Sequence, residues 1–470
     1  MLVIISDLHL TDGSSGTTIG PGAFKVFRSR LGDLAYDASW RSNGKYKPIE
    51  EFDVILLGDI LDVIRSTAWV PENQGGNGVR PWDRTLDRQG FRARVSGITA
   101  GILQANTDSL EVLENIGHKD AITIPQATKG QPKSVDHDRD AAGRQAVKVN
   151  IHYLVGNHDW FFHLADEGFN DIRAAVVKAL GLANPPDTPF PHDPEESSVI
   201  CRLYREHRVY ARHGDIYDPF NYEDDRDASS LGDAIVIELL NRFAQGVAGD
   251  KSIDLNARCL AGLREVDNVR PLLLVPVWIN GLLDQWCADK TQAKKVKQVW
   301  DGLVDEFLKL PFVRARDKFF QLNDLVDKLE RGLRLSTGFS LRRLSQVLVW
   351  WNEHVGTGRD AFYKHALGER AFRNRNARFI VYGHTHRHEV VPLDSVSNGD
   401  ELINQIYLNS GTWRRVHELA RSNPKEQEFI DYDVMTYLAF FKEDERGGRR
   451  FESWSGVLDP PPHRAEKDAG

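Results

Sequence analysis

The amino-acid sequence predicts an α/β fold of the α+β kind, interrupted by a large helical insertion. Two patterns carry that expectation. Short apolar runs at Met1–Ile5, Val54–Leu57, Ile151–Val155, Arg208–Arg212 and Arg378–Tyr382 each end in a loop built from Gly, Asp, Asn and His. Buried strands that end in such polar loops are where α/β proteins present their chemistry. Between about residues 221 and 370 the pattern changes, and apolar side chains recur at helical spacing instead.

The five loops read Ser6-Asp7-Leu8-His9, Gly58-Asp59-Ile60-Leu61-Asp62, Gly156-Asn157-His158-Asp159, His213-Gly214-Asp215 and Gly383-His384-Thr385-His386. Asp7 and His9 stand two apart, so in an extended segment both leave on one face. Taken singly, each cluster has a plain structural reading: an Asp after a Gly is usually a turn or helix cap, and a lone His is usually a satisfied surface or core residue. Taken together, carboxylate, imidazole and amide oxygen are the ligands of divalent first-row metals, with no thiolate required. Two cations about 3.5–4 Å apart would need a bridging carboxylate and could clamp both oxygens of a displacement at phosphorus.

In order and spacing, Asp7-x-His9, Gly58-Asp59-x-x-Asp62, Gly156-Asn157-His158-Asp159, His213 and Gly383-His384-x-His386 resemble the calcineurin-like metallophosphoesterases. The resemblance covers about half the chain, near residues 1–64, 150–220 and 373–415. It implies a four-layer sandwich of two mixed β-sheets flanked by helices. It further implies two divalent ions, manganese, iron or zinc, one held by Asp7, His9, Asp59 and His386 and the other by Asp59, Asn157, His213 and His384. The family's general acid falls on His158 and its carboxylate partner on Asp62. The implied reaction is hydrolysis of a phosphomonoester or phosphodiester, with a water bridging the metals attacking phosphorus in line.

Composition sets the bounds. At 470 residues the chain exceeds one compact domain, and 41% hydrophobic with 27% charged residues is ordinary globular usage. A net charge of −8 argues against a generally basic nucleic-acid binder. Cys201, Cys259 and Cys287 show neither a disulfide framework nor zinc spacing, and the chain opens directly on a strand with no charged and apolar leader. A cytoplasmic location without a membrane span is expected; the oligomeric state is left open.

In chain order, Gly13–Gly22 reads as a flexible rim that fits no phosphate-loop pattern, and residues 65–95 as irregular. Ile98–Ile116 carries helical spacing, and Ala127–Val147 reads as a charged surface excursion. Trp160-Phe161-Phe162 should pack beneath the central loop, residues 170–182 should be helical, and a strand is expected near 198–205.

The core is then expected at 1–220 and 371–458, with residues 221–370 inserted as a helical cap that shapes substrate choice. The stripes Leu231–Phe243, Val296–Leu308, Leu322–Leu333 and Leu341–Trp351 supply its helices. Its span 290–345 carries thirteen Lys/Arg against seven Asp/Glu. Such a run is ordinarily a solvated helix face, the alternative being that Arg314, Arg316, Arg342 or Arg343 meets an anionic substrate. Pro271–Ile279 reads as a buried cap helix, too short and too Pro-broken to span a bilayer. A hairpin is expected around Asp444–Gly448, and a disordered tail from residue 459 to 470.

On substrate, the protein serine/threonine phosphatases carry Glu at the position of Asp159 and Asp-Arg-Gly in place of Asp62-Val63-Ile64. The cytoplasmic UDP-2,3-diacylglucosamine hydrolases resemble Ser6–Leu10 and His213-Gly214-Asp215 more closely, but place Arg at the position of His158. A hydrolase of that pyrophosphatase type, a nuclease, and a non-catalytic metal-binding scaffold stand as alternatives to a phosphoesterase acting on a small substrate.

Overall fold

The computed structural model describes residues 1–70, 78–118, 121–133, 143–270, 275–286, 290–316, 329–330, 333–334, 362–398, 401–420, 422 and 428–458. Strands β1 (Leu2–Ile5) and β2 (Glu51–Leu57) are followed by two small antiparallel pairs. In these, β3 (Thr123–Pro125) joins β6 (Arg144–Ala146), and β4 (Ala127–Thr128) joins β5 (Gln131–Pro132). The remaining strands are β7 (Lys148–Leu154), β8 (Val209–Ala211), β9 (Val269–Arg270), β10 (Phe379–Tyr382), β11 (His388–Asn398), β12 (Glu401–Ser410), β13 (Arg414–Leu419), β14 (Phe429–Phe440) and β15 (Phe451–Leu458).

Two mixed sheets result. The larger runs β7-β2-β1-β14-β13-β9, with β15 also pairing with β14; the smaller runs β11-β12-β10-β8. β1, β2 and β7 are mutually parallel while β14 runs antiparallel to β1. In the smaller sheet β8, β10 and β12 are parallel and β11 is antiparallel to β12.

Period-2 alternation along β1 and β2 divides the apolar residues between two cores. Val3, Ile5, Val54 and Leu56 face helices α1 (Pro21–Ala38), α2 (Arg88–Ala105), α3 (Thr107–His118) and α4 (Asn170–Leu180). Leu2, Ile4, Ile55 and Leu57 face the other way. They meet Val209, Phe379, Val381 and Leu408 of the smaller sheet and Ile200, Leu203 and Tyr204 of α5 (Ser198–His207). The outer face of the smaller sheet packs Ile380, Tyr382 and Tyr407 against Ala366 and Phe372. Helices, sheet, sheet and helices thus follow one another, the layered α+β sandwich expected.

A fourth apolar cluster lies in the helices after residue 230. These are α6 (Leu231–Ile235), a π-helical turn (Val236–Asn241), α7 (Arg242–Gly249), α8 (Ala257–Arg264), α9 (Val275–Trp286), α10 (Lys290–Phe307) and α11 (Pro311–Arg314). The segment is stitched to the rest. β9 pairs with β13, Asn241 Nδ2 donates to the Ile64 carbonyl at 2.8 Å, and the Trp160 indole donates to Asp233 at 3.2 Å. Val277, Ile279, Leu282 and Leu283 of α9 are buried, so this part of the 271–279 run is the core helix expected. Residues 271–274, most of the 322–333 stripe, the whole 341–351 stripe, Arg342 and Arg343, and the tail from 459 lie outside the described residues. Among the described residues no helix is long and apolar enough to cross a membrane.

Four local expectations change. Residues 198–205 form helix, not strand: Ile200, Leu203, Tyr204 and His207 fall on one buried face, and Ser197 caps the start by accepting the Ile200 N–H. The 98–116 helix is two, broken at Asn106, whose side-chain amide donates to the Thr11 and Ile102 carbonyls. The 127–147 excursion contains β4, β5 and β6. The 13–22 rim is tied down: Ser14 Oγ accepts the Thr67 N–H, and Thr18 donates to Asn106. The three aromatics Trp160, Phe161 and Phe162 are buried, and β14 and β15 form the terminal hairpin.

Candidate metal centre

Strands β1, β2, β7, β8 and β10 all deliver their following loops to one edge of the two sheets, where backbone hydrogen bonds lace the loops together. Asp7 N–H donates to the Gly58 carbonyl at 3.1 Å, His9 N–H to Asp59 at 2.9 Å, and Gly383 N–H to His213 at 2.8 Å. The approach is close enough to demand glycine. A Cβ on Gly58 would fall 2.5 Å from His213 Nδ1, and one on Gly156 would collide with the Asp59 carboxylate. Asp7, His9, Asp59, His384 and His386 all hold positive φ, between 45° and 65°. Left-handed backbone costs non-glycine residues of order 1–3 kcal/mol each and collects where a site overrides local preference.

Asp7, His9, Asp59 and His386 bring one ligand atom each within 4.8 Å of the others, and so do Asp59, His213 and His384. Asp59 belongs to both groups. Its Oδ1 accepts the His158 N–H at 2.8 Å, leaving Oδ2 3.8 Å from His9 Nε2 and 3.1 Å from His213 Nε2. Asn157 joins the second group with its Oδ1 3.1 Å from His384 Nδ1, its amide nitrogen being used on Asn221. All seven predicted ligand residues therefore meet in one place.

The imidazoles are oriented by their outer nitrogens. His9 Nδ1 lies 2.9 Å from Asp62 Oδ2, His213 Nδ1 2.9 Å from the Leu57 carbonyl, and His384 Nε2 3.0 Å from Asp218 Oδ2. An acceptor on one ring nitrogen fixes the proton there and turns the other lone pair inward, the arrangement of metal-bound histidines. Two inward atoms are left without ordinary hydrogen bonds: buried Asp7 Oδ1 and His213 Nε2 have no hydrogen-bond partner, while His9 Nε2 faces His386 Nε2 at 2.9 Å. The residues thus fit a cation, and the all-N/O donor set suits manganese, iron, zinc, cobalt or nickel.

His9, Asp62 and His158 also lie close enough to be a ligand group, but Asp62 is spent on orientation. Its Oδ1 is 2.6 Å from His158 Nδ1 while its Oδ2 holds His9. Electrostatics follow the same pattern. Burial pushes Asp62 up, yet His158 and His9 more than offset it and hold the carboxyl below the usual range. Burial likewise raises Asp7 and Asp59, and neighbouring imidazoles, His213 foremost, bring both well down. Asp159 goes the opposite way: burial and the Asp59 charge push it up to about 6.

Several contributors had no role assigned by the sequence pattern. Asp218 orients His384, Arg226 donates to the Gly156 carbonyl at 2.9 Å and pairs with Asp215, and Ser6 donates to Asp7. Asp159 is a strut, accepting from Gly156 and Ile60 N–H and from the Tyr153 hydroxyl at 2.6–2.8 Å. Of the basic residues weighed for substrate, Arg316 is committed to Glu223 and lies over Phe312, and Arg314 sits 3.8 Å from Glu330. A scan of the sequence against protein-family models gives no match, and a search of curated proteins gives none either.

Proposed function

We propose that this chain is a dinuclear-metal phosphoesterase that hydrolyses a small phosphomonoester or phosphodiester, with the helices after residue 230 as a cap beside the site. The observation that carries this reading is Asp59 Oδ2, shared between two ligand groups whose histidines turn their lone pairs inward. Divalent cations at those groups would supply the activated water nucleophile and neutralise charge on the phosphoryl oxygens. His158 is the proton donor to the departing oxygen. Its ring is partly exposed beside His9, 4.7 Å between centroids, and its Nδ1 is held by Asp62, so Nε2 is the atom that delivers the proton. Asp62, held ionised, compensates the positive charge on the ring until transfer. The deep burial of Asp7, Asp59 and His213 keeps water from competing with these contacts.

The test is hydrolysis of bis-p-nitrophenyl phosphate and p-nitrophenyl phosphate by the manganese-loaded protein. Turnover of either, lost in Asp59→Asn, supports the reading. Two bound metals with neither substrate turned over would leave a metal-binding scaffold instead.

A further inference from the structure

A second cluster of ligand-type side chains, nearer the surface, lies apart from the seven ligands. His163 ends the short helical turn Trp160–His163 after the central loop, His192 lies in the Pro-rich stretch 185–194, and Glu196 ends the turn Pro194–Glu196. One ligand atom from each falls within 4.8 Å of the others. Asp227, from the stretch following the His213 loop, places Oδ1 2.7 Å from His163 Nδ1. That contact anchors Nδ1 and leaves Nε2 facing Glu196 Oε2, 3.5 Å away.

His192 is arranged in the mirror sense. Its Nε2 lies 3.4 Å from Asp193 Oδ2, so Nδ1 is the inward atom. Nδ1 is buried 2.8 Å from Glu196 Oε1, yet forms no hydrogen bond. A nitrogen and a carboxylate oxygen that close without hydrogen-bond geometry are what a shared cation between them would account for. His213 Nε2 and Asp59 Oδ2 show the same relation in the main centre. Glu196 is itself fixed, its Oε2 accepting the His192 N–H at 2.9 Å. Ligands about 2.0–2.1 Å from a tetrahedral zinc stand roughly 3.3 Å apart, between the 2.8 and 3.5 Å seen here.

We propose that His163 Nε2, His192 Nδ1 and Glu196 bind one zinc-class divalent cation, separate from the catalytic pair, with Asp227 orienting His163. Two imidazoles and a carboxylate match a borderline cation such as Zn²⁺ better than Mg²⁺ or Ca²⁺. The site is a clamp. It joins the connection at 192–196 to His163, five residues beyond His158, and through Asp227 to its chain neighbour Arg226, which holds the Gly156 carbonyl. The cation therefore braces the wall that carries the proton donor.

The experiment is a zinc count. The full chain is stripped with chelator, dialysed against Zn²⁺ and assayed by elemental mass spectrometry, beside His192→Ala and Glu196→Gln. Wild type should hold three equivalents and each variant two, the two ions of the main centre being kept. Glu196→Gln keeps an acceptor for the His192 N–H, so it guards against simple misfolding. X-ray absorption at the zinc edge of Asp59→Asn should report two imidazole ligands. Equal zinc in wild type and both variants overturns the proposal. A wild type that holds a single equivalent, lost in His192→Ala, upholds the clamp and sinks the dinuclear reading, so the two failures are distinguishable.

Discussion

Asp62 is where orientation of a ligand and orientation of an acid meet, one carboxylate oxygen on His9 Nδ1 and the other on His158 Nδ1. The two substitutions that interrupt this arrangement should therefore differ in kind. His158→Ala removes only the proton donor and is expected to lower turnover by about 10²–10⁴-fold with metal content unchanged. Asp62→Asn disturbs His9 as well, and should weaken metal binding by about 10–100-fold on top of the lost rate. Elemental analysis beside kcat separates them; metal loss in His158→Ala would make that residue a ligand. Asp62 was readable from the motif as a partner for His158. Its hold on His9 was not, because no spacing announces that the second oxygen of the same carboxylate faces His9.

Helix α5 shows how a local pattern misleads and what the element does instead. Ser198-Val199-Ile200-Cys201-Arg202-Leu203 has strand-like β-branching, but the face completed by Tyr204 and His207 is helical and packs between the sheets' ends. That face buries a titratable group. His207 Nδ1 donates to the Leu203 carbonyl at 2.8 Å, and its pKa is brought down to about 3 from 6.5, by burial first and the chain's N-terminal charge second. Protonation favours the unfolded chain between those values, so stability is intact above pH 6.5 and is lost as pH falls toward 3. At pH 5 the loss is about 2 kcal/mol by linkage. Urea midpoints for wild type and His207→Gln should diverge at pH 7 and draw together at pH 5; parallel pH profiles would mean that His207 is charged in the fold.

At the scale of the whole molecule, what was legible is what is local. Apolar runs ending in short polar loops marked the strands, and those loops carried the seven ligand-type residues that the main centre gathers. What pins those loops was not legible, since Asp218, Tyr153 and Arg226 act across segments with no spacing to announce them. Arg226 is the most consequential. It lies buried on the stretch leading into the helical segment, donates to the Gly156 carbonyl, and pairs with Asp215 at 2.6 Å beside His213. One guanidinium, on the stretch that enters the helical segment, thus ties together the Gly156 and His213 loops. Breaking a buried pair strands the other charge, so Arg226→Met should destabilise the protein by about 3–5 kcal/mol. Removing both charges in Arg226→Met/Asp215→Leu should recover most of that stability while leaving the Gly156 loop untethered. Urea unfolding measures the first effect, and metal content the second. The double variant should unfold near the wild-type midpoint yet bind metal more weakly, whereas full metal affinity in it would show that Arg226 serves stability alone.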